Sequence, residues 1–358
     1  MEAVKRPAGF LHLSHLALPQ RSEAETAEMM LGDIGEFGLI QRIRKWMAPV
    51  DPSLVQGIGD DVAVIRIGNR VLLATTDILI EGVHFDRSWI DPYHLGNKAL
   101  MVNLSDIAAM GGIPTYFLIS LGLPKNLSFD FVSRFYRGMK DGAKRFSVKL
   151  VGGDTSLSPK IVINICLLGE GQAQGLLFRK GAKVGDDLWV SGTLGDAALG
   201  LRILRKEGAK GKAKGLIKRH LSPCPRLFLG QALARHGWAT AAIDVSDGLL
   251  IDVSHLLEES KVGALIWEDR IPLSRGYRKW ARLHSRDPYR FALSGGEDYE
   301  LLFTAPAEIR RRLVSLARSV KVNLTRIGTI LTSQKGLRVV RKEGRTYFPS
   351  RLGFDHFG

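Results

Sequence analysis

The acids of this chain are informative through where they stand. Aspartates gather at Gly, Ser and Thr corners beside apolar runs: Gly59-Asp60-Asp61, Thr75-Thr76-Asp77, Ser105-Asp106, Gly152-Gly153-Asp154, Asp244-Val245-Ser246-Asp247 and Gly295-Gly296-Glu297-Asp298. One such corner is ordinary turn chemistry, and an Asp before a helix is ordinarily a cap. Recurrence along one chain asks for a further cause. Asp77 follows the apolar run 71–74, Asp154 follows 149–151, and Asp244 interrupts an apolar strand. A carboxylate in such a place costs desolvation unless a positive group joins it. No Lys or Arg is interleaved in these motifs, so a hard cation is the economical partner. Mg²⁺ takes oxygen ligands and is commonly shared between one or two carboxylates and substrate phosphates. Carboxylates with Thr and Ser hydroxyls suit that ion, whereas a transition-metal site would call for His and Cys.

Mixed strands and helices must carry these corners. The spacing predicts a helix over 36–47 ending before Pro49, then strands over 62–67 and 70–76. A helix over 95–110 is closed by Gly111-Gly112 with Pro114 beyond. A strand over 114–123, an amphipathic helix over 128–146 and strands over 149–151 and 160–169 follow. The chain turns Gly-rich over 169–183, where the domain boundary is placed. Beyond it come a strand over 187–191, a helix over 196–204, a strand over 241–245 and a helix over 249–259. The expected organisation is an N-terminal extension over 1–31, a domain over 32–170 and a domain over 171–358. The expected class is α/β (α+β).

Composition narrows the functional classes. A chain of 358 residues suits two domains, and no apolar run approaches the length of a spanning helix. Two histidines interrupt the apolar stretch 10–18, so a secretory leader is not expected and the cytoplasm is. Cys166 lies in an apolar run and reads as a buried small hydrophobe; with Cys224 it makes neither a disulfide framework nor a zinc site. The net charge of +15 admits anionic partners. Much of the excess lies over 202–219, which reads as a solvated connection. No zinc-finger spacing or aromatic-rich RNA-binding strand accompanies it, so nucleic acid is not an expected partner. A Walker motif and the kinase His-Arg-Asp and Asp-Phe-Gly motifs are absent, and Gly169-Glu-Gly171-Gln-Ala-Gln174 misses the dinucleotide pattern.

The ordered series Gly57-Ile-Gly-Asp-Asp61, Thr75-Thr-Asp77, Gly82-Val-His-Phe85, Asn103-Leu-Ser-Asp106, Gly152-Gly-Asp-Thr155, Asp244-Val-Ser-Asp-Gly248 and Ser294-Gly-Gly-Glu-Asp-Tyr-Glu300 resembles the thiamine-monophosphate kinase family. The resemblance implies a two-domain aminoimidazole ribonucleotide synthetase-like fold, a homodimer formed through the N-terminal domains, and Mg²⁺-dependent phosphoryl transfer from ATP to thiamine monophosphate. Carried over position by position, it implies that Asp61, Thr75, Thr76, Asp77, Asp106, Asp154, Asp244 and Asp247 hold several Mg²⁺ ions. Of these, Asp77, Asp106, Asp154 and Asp247 are the expected catalytic set. Gly153, Asp154, Arg179 and Ser246 would meet ATP; His84, Glu297 and Phe354 would meet thiamine monophosphate. The nearest alternative is an ATPase of the same fold that activates an amide oxygen. A selenophosphate synthetase is disfavoured because no Cys stands near the start. From another class, a nucleic-acid-binding protein or a non-catalytic nucleotide sensor could carry the same acids as turn residues.

Overall fold

The computed structural model describes residues 30–47, 51–172, 175–208, 213–285, 287–348, 353, 354 and 357. Met1 to Met29 of the expected extension, Pro49, and Ala173 and Gln174 of the Gly-rich stretch lie outside the described residues. The chain divides into a small unit, 1–46 with 355–358, and a large one, 47–354. The small unit carries helix α1 (Leu31–Trp46), which bends where Gly35 takes a φ of 64°.

In the large unit, alternating apolar residues build a first sheet from β1 (Leu54–Gln56), β2 (Ala63–Ile67), β3 (Arg70–Ile80), β4 (Ile113–Leu123), β5 (Lys149–Leu157) and β6 (Val162–Gly171). The spatial order is β1-β2-β3-β6-β4-β5, antiparallel except for the parallel pair β4–β5. Inward-facing Val71, Leu73, Phe117, Ile119, Ile163, Ile165 and Leu167 form the core beneath it. Helix α2 (Pro92–Ala109) starts where Asp91 accepts from the N–H groups of Tyr93 and His94, with Pro92 at the first turn. Ser128 caps α3 (Phe129–Phe146) in the same way.

The second sheet comprises β7 (Asp187–Ser191), β8 (Ala241–Asp244), β9 (Gly263–Trp267), β10 (Leu301–Ala305), β11 (Leu324–Leu331), β12 (Leu337–Val340) and β13 (Thr346–Tyr347). Its order is β13-β12-β9-β11-β7-β10-β8, with β9–β12 the parallel pair. Around it lie α4 (Asp196–Glu207), α5 (Lys214–Leu221), α6 (Leu227–His236), α7 (Leu249–Ser260), α8 (Arg275–His284), α9 (Arg290–Ser294) and α10 (Arg310–Ser319). Helix α2 is buried along nearly its whole length, because it touches β3 and β6 of the first sheet as well as α6 and β8. It is the shared spine of the unit.

Several expectations need correction. β3 does not end at Asp77 but continues to Ile80, because Asn103 Oδ1 accepts from Asp77 N–H at 3.2 Å and Asn164 Nδ2 donates to Asp77 O. β5 runs on through Gly153 and Asp154 to Leu157, paired along its length with β4. Cys166 is half-buried, since it lies on the outward side of β6 between inward Ile165 and Leu167. The segment 202–219 is not a solvated connection: α4 and α5 occupy most of it and bury Ile203, Leu204, Leu216 and Ile217. Lys210 and Lys212 lie outside the described residues. Among the described residues, no helix is long and apolar enough to cross a membrane.

Candidate active site

The acid corners from both sheets meet at α2. Thr75 on β3 donates to Asp106 Oδ2 of α2 at 2.6 Å. One residue earlier on the same helix, Ser105 donates to Asp244 Oδ2 at the end of β8, at 2.5 Å. Asp77, two residues after Thr75 on β3, is half-buried and acts on both Asp106 and Asp244, and Thr76 beside it is exposed and accepts from Asn164 Nδ2 at 2.9 Å. Asp61, in the loop before β2, receives both Nε and Nη2 of Arg179; the Arg179 N–H also meets Asp60.

Electrostatics sets this group apart. Burial, reinforced by Asp247 and Asp61, pushes Asp77 up to about 6. Burial and then Asp61 raise Asp244 to about 8. Burial, followed by Asp77, Asp244 and Asp61, lifts Asp106 well above the usual carboxylate range. Burial also raises Asp60 to about 7, and raises Asp61 against the opposing pull of Arg179. Asp252 on α7, holding the Gly248 N–H at 3.1 Å, is raised by burial, Asp247 and Asp244. These carboxylates repel one another in a low-dielectric site, with one guanidinium among them.

Does a hard cation fit? Asp61 Oδ2 is buried with no hydrogen-bond partner among the described residues, an unfilled acceptor of the kind a cation satisfies. The donor set is oxygen throughout, as Mg²⁺ prefers. Among the described residues no three His, Cys, Asp or Glu side chains already converge on one cation position. Asp61, Asp106 and Asp244 are instead engaged by Arg179, Thr75 and Ser105. Such a set suits an ion that arrives with phosphate oxygens and waters rather than one caged by protein alone.

The other expected residues are distributed around this centre. Ser246 and Asp247 are half-buried in the turn between β8 and α7, where Asp247 O accepts from Phe354 N–H at 3.1 Å. Phe354 itself is 47% exposed. Backbone N–H of Ile80 donates to His84 Nδ1 at 3.0 Å, so the neutral ring carries its proton on Nε2. Gly153 and Asp154 stand apart. The register Asp77↔Ile165, Ile165↔Ile119, Ile119↔Gly153 puts three strand spacings, roughly 14 Å, between β3 and β5. Asp154 is exposed and accepts from Thr155 N–H at 2.8 Å. Gly153 must be glycine, because a Cβ there would lie 1.9 Å from Ile119 O.

Glu297 belongs to a different environment. Lys98 of α2 donates to its Oε1 at 2.7 Å, and His220 Nδ1 lies 2.7 Å from its Oε2. Burial alone would raise its pKa, but Lys98 and His220 hold it well below the usual range. Nearby, Glu300 is fully buried and receives Ser191 Oγ, Arg219 and Arg226. Although no Lys or Arg is interleaved in the motifs, basic side chains do join Asp61, Glu297 and nearby Glu300. Their cations come from distant stretches of chain. Asp60, Asn103, Ser105 and Glu300 stood in the quoted motifs without an assigned role, and Lys98, Asn164, His220 and Asp252 were missed. For Lys98 a signal existed, since it is a charged residue inside an otherwise apolar helical run.

Two family models match the chain: the AIR synthase related protein N-terminal domain over 59–170 and its C-terminal domain over 183–341. The thiamine-monophosphate kinase of Aquifex aeolicus is 42% identical over 78% of this chain and 89% of its own length. That of Escherichia coli K12 is 39% identical over 90% of this chain and 98% of its own length. Among solved structures, AaThiL complexed with AMPPCP and TMP superposes with a TM-score of 0.81 at 38% identity, covering 92% of this chain and all of that one. Hydrogenase maturation protein HypE, at 19% identity and a TM-score of 0.65, shares the fold. With both domains matched and the acid series in order, the chain belongs to the thiamine-monophosphate kinase family.

Proposed function

We propose that this protein transfers the γ-phosphate of ATP directly to thiamine monophosphate, giving thiamine diphosphate and ADP. The observation that carries this reading is the convergence of Asp61, Asp77, Asp106 and Asp244 from both sheets, where burial raises their pKa values and neighbouring acids add to it at Asp77, Asp106 and Asp244. ATP and a phosphomonoester bring further negative charge, so neither set of anions is stable there without cations. Asp61, Thr75, Thr76, Asp77, Asp106, Asp154, Asp244 and Asp247 would hold Mg²⁺ ions. Bound there, Mg²⁺ neutralises the phosphates and supports an in-line displacement. The acceptor oxygen is already anionic, so the protein's contribution is alignment and charge, without a strong general base.

Arg179, poised on Asp61, and Ser246 with Gly153 and Asp154 bind the triphosphate. His84 presents its Nε2 proton to the acceptor phosphate. Glu297 accepts from the pyrimidine amine, and the exposed ring of Phe354 covers the cationic thiazolium. The domain 32–170 binds ATP and most of the Mg²⁺ and forms the dimer, and the domain 171–358 completes the active site. The reaction takes place in the cytoplasm, where ATP is made and used.

The separation of Asp154 from Asp77 favours a homodimer. The outer face and edge of the first sheet expose Ile78, Leu118, Leu150, Val151 and Leu157, an apolar surface that a second copy would cover. Pairing through that face lets Gly153 and Asp154 of one protomer serve the nucleotide held by the other. Two experiments test these points. Chromatography after incubation with ATP, Mg²⁺ and thiamine monophosphate should yield thiamine diphosphate, and EDTA should abolish it. Mixing the separately inactive Asp77→Asn and Asp154→Asn proteins should partly restore turnover; no recovery after subunit exchange would exclude sharing of the site.

A further inference from the structure

Two buried side chains hold Glu297, and no motif or assigned role accounts for either. Lys98 and His220 are each 1% exposed. They reach Glu297 from α2 and α5, one on each carboxylate oxygen, both at 2.7 Å. The Trp89 ring packs against His220 with centroids 5.4 Å apart, fixing the imidazole. Neither ring nitrogen of His220 makes a hydrogen bond among the described residues, so the ring's tie to Glu297 is the close contact of Nδ1 with Oε2, 2.7 Å.

The backbone at Glu297 is unusual as well. Its φ is 69°, in the left-handed region, and Tyr299 two residues on has a φ of 50°. Non-glycine residues occupy this region at a cost and persist where surrounding bonds over-determine them. Here Glu297 N–H donates to Ser246 O at 2.7 Å while the side chain is clamped at both oxygens.

A purely structural ion cluster would be sealed. Glu300, three residues away, is: its side chain is 0% exposed. Glu297 keeps 25% of its side chain accessible, and each carboxylate oxygen has about two acceptor positions, of which Lys98 and His220 take one apiece. One face of the carboxylate is therefore fixed and the other is left for a donor from outside.

We infer that Lys98 and His220 are positioning residues for acceptor recognition, which lock the Glu297 carboxylate in the orientation that receives the acceptor's amine. They act on acceptor affinity and leave the nucleotide and the transfer step untouched. This rests on the reading of Glu297 as an acceptor contact.

The test is a steady-state comparison of wild type, Glu297→Gln, His220→Leu, His220→Asn, Lys98→Met and the double variant His220→Leu/Glu297→Gln, with circular dichroism on each. His220→Leu and Lys98→Met should raise the acceptor KM about ten- to hundredfold, as loss of one close polar contact to a charged group does. kcat and the ATP KM should stay within about twofold. His220→Asn, whose amide can stand where Nδ1 meets the carboxylate, should restore the acceptor KM. The double variant should be no worse than Glu297→Gln alone, since the residues act through one group. Should His220→Leu not fold, His220→Gln serves instead, because its amide reaches the Nε2 position and leaves the Nδ1 contact unmade. Wild type that forms no thiamine diphosphate withdraws the functional reading and this inference together. An acceptor KM unchanged in Glu297→Gln removes the role of Glu297 and with it the inference. An impaired Glu297→Gln beside a normal His220→Leu and Lys98→Met overturns the positioning alone.

Discussion

Two groups of buried acids lie in the same large unit, and their electrostatic states are opposite. Asp61, Asp77, Asp106 and Asp244 neighbour one another, with Arg179 acting on Asp61 and Asp244, and have pKa values driven upward. Glu297 and Glu300 lie against Lys98, His220, Arg219 and Arg226, and theirs are driven downward. Both groups cost desolvation to bury. The second recovers it from within the protein; the first has no such recovery until cations arrive from solution. The difference separates acids kept for a ligand from acids kept for the architecture around it.

The largest test of this contrast is Asp106→Asn. Metal-assisted charge stabilisation is worth several kcal/mol, so thiamine diphosphate formation should fall on the order of 10³-fold. Removing a repelling carboxylate should also leave the melting temperature in EDTA unchanged or raised. A folded variant with wild-type turnover would sink the ligand role of this group. The architectural group should respond in the reverse sense. Glu300→Ala leaves Arg219 and Arg226 without their counter-charge, at a cost of about 3–5 kcal/mol in denaturant unfolding. A loss below about 1 kcal/mol would show that the two arginines find water or another acid, erasing the contrast.

The third test is a pH profile of stability. The folded pKa of Asp244, about 8, lies above its ordinary 3.8. The folded state therefore holds a proton that the unfolded chain releases between those values. Without metal, this contribution is fully present below 3.8 and is lost as pH rises toward 8. Saturating Mg²⁺ should flatten that slope by stabilising the ionised form. Thermal melts in EDTA whose midpoint climbs between pH 5 and pH 8 would contradict the sign. The smallest effect is expected at Lys214 and Lys218, both exposed on α5. Their replacement by Ala should change turnover less than about twofold, as surface charges usually do. A large loss would bring α5's outer face into the site.

What was legible in the sequence follows from distance along the chain. The acid corners are readable because each is a short motif in which Gly, Ser or Thr beside Asp has local meaning. Their partners were not: Lys98 and Glu297 are 199 positions apart, and Arg179 and Asp61 are 118 apart. Helix α2 was readable from its spacing and from the Gly111-Gly112 stop, without its first turn at Pro92. β5 was truncated because Gly152-Gly153 followed by polar residues shows no alternation, and an edge strand exposed throughout has none to show. The 202–219 segment misled for another reason. Its lysines and glycines hide the apolar side formed by Ile203, Leu204, Leu216 and Ile217, which emerges only when α4 and α5 fold against each other.

Helix α2 has a consequence for how this protein can change over time. Lys98 reaches Glu297, Asn103 reaches Asp77, Ser105 reaches Asp244 and Asp106 meets Thr75, all from one helix buried among both sheets. Inserting or deleting a single residue early in α2 would rotate every later position by about 100° and carry the whole set out of register. The helix thus acts as a ruler with a fixed number of marks. Variation in chain length must therefore accumulate outside this helix.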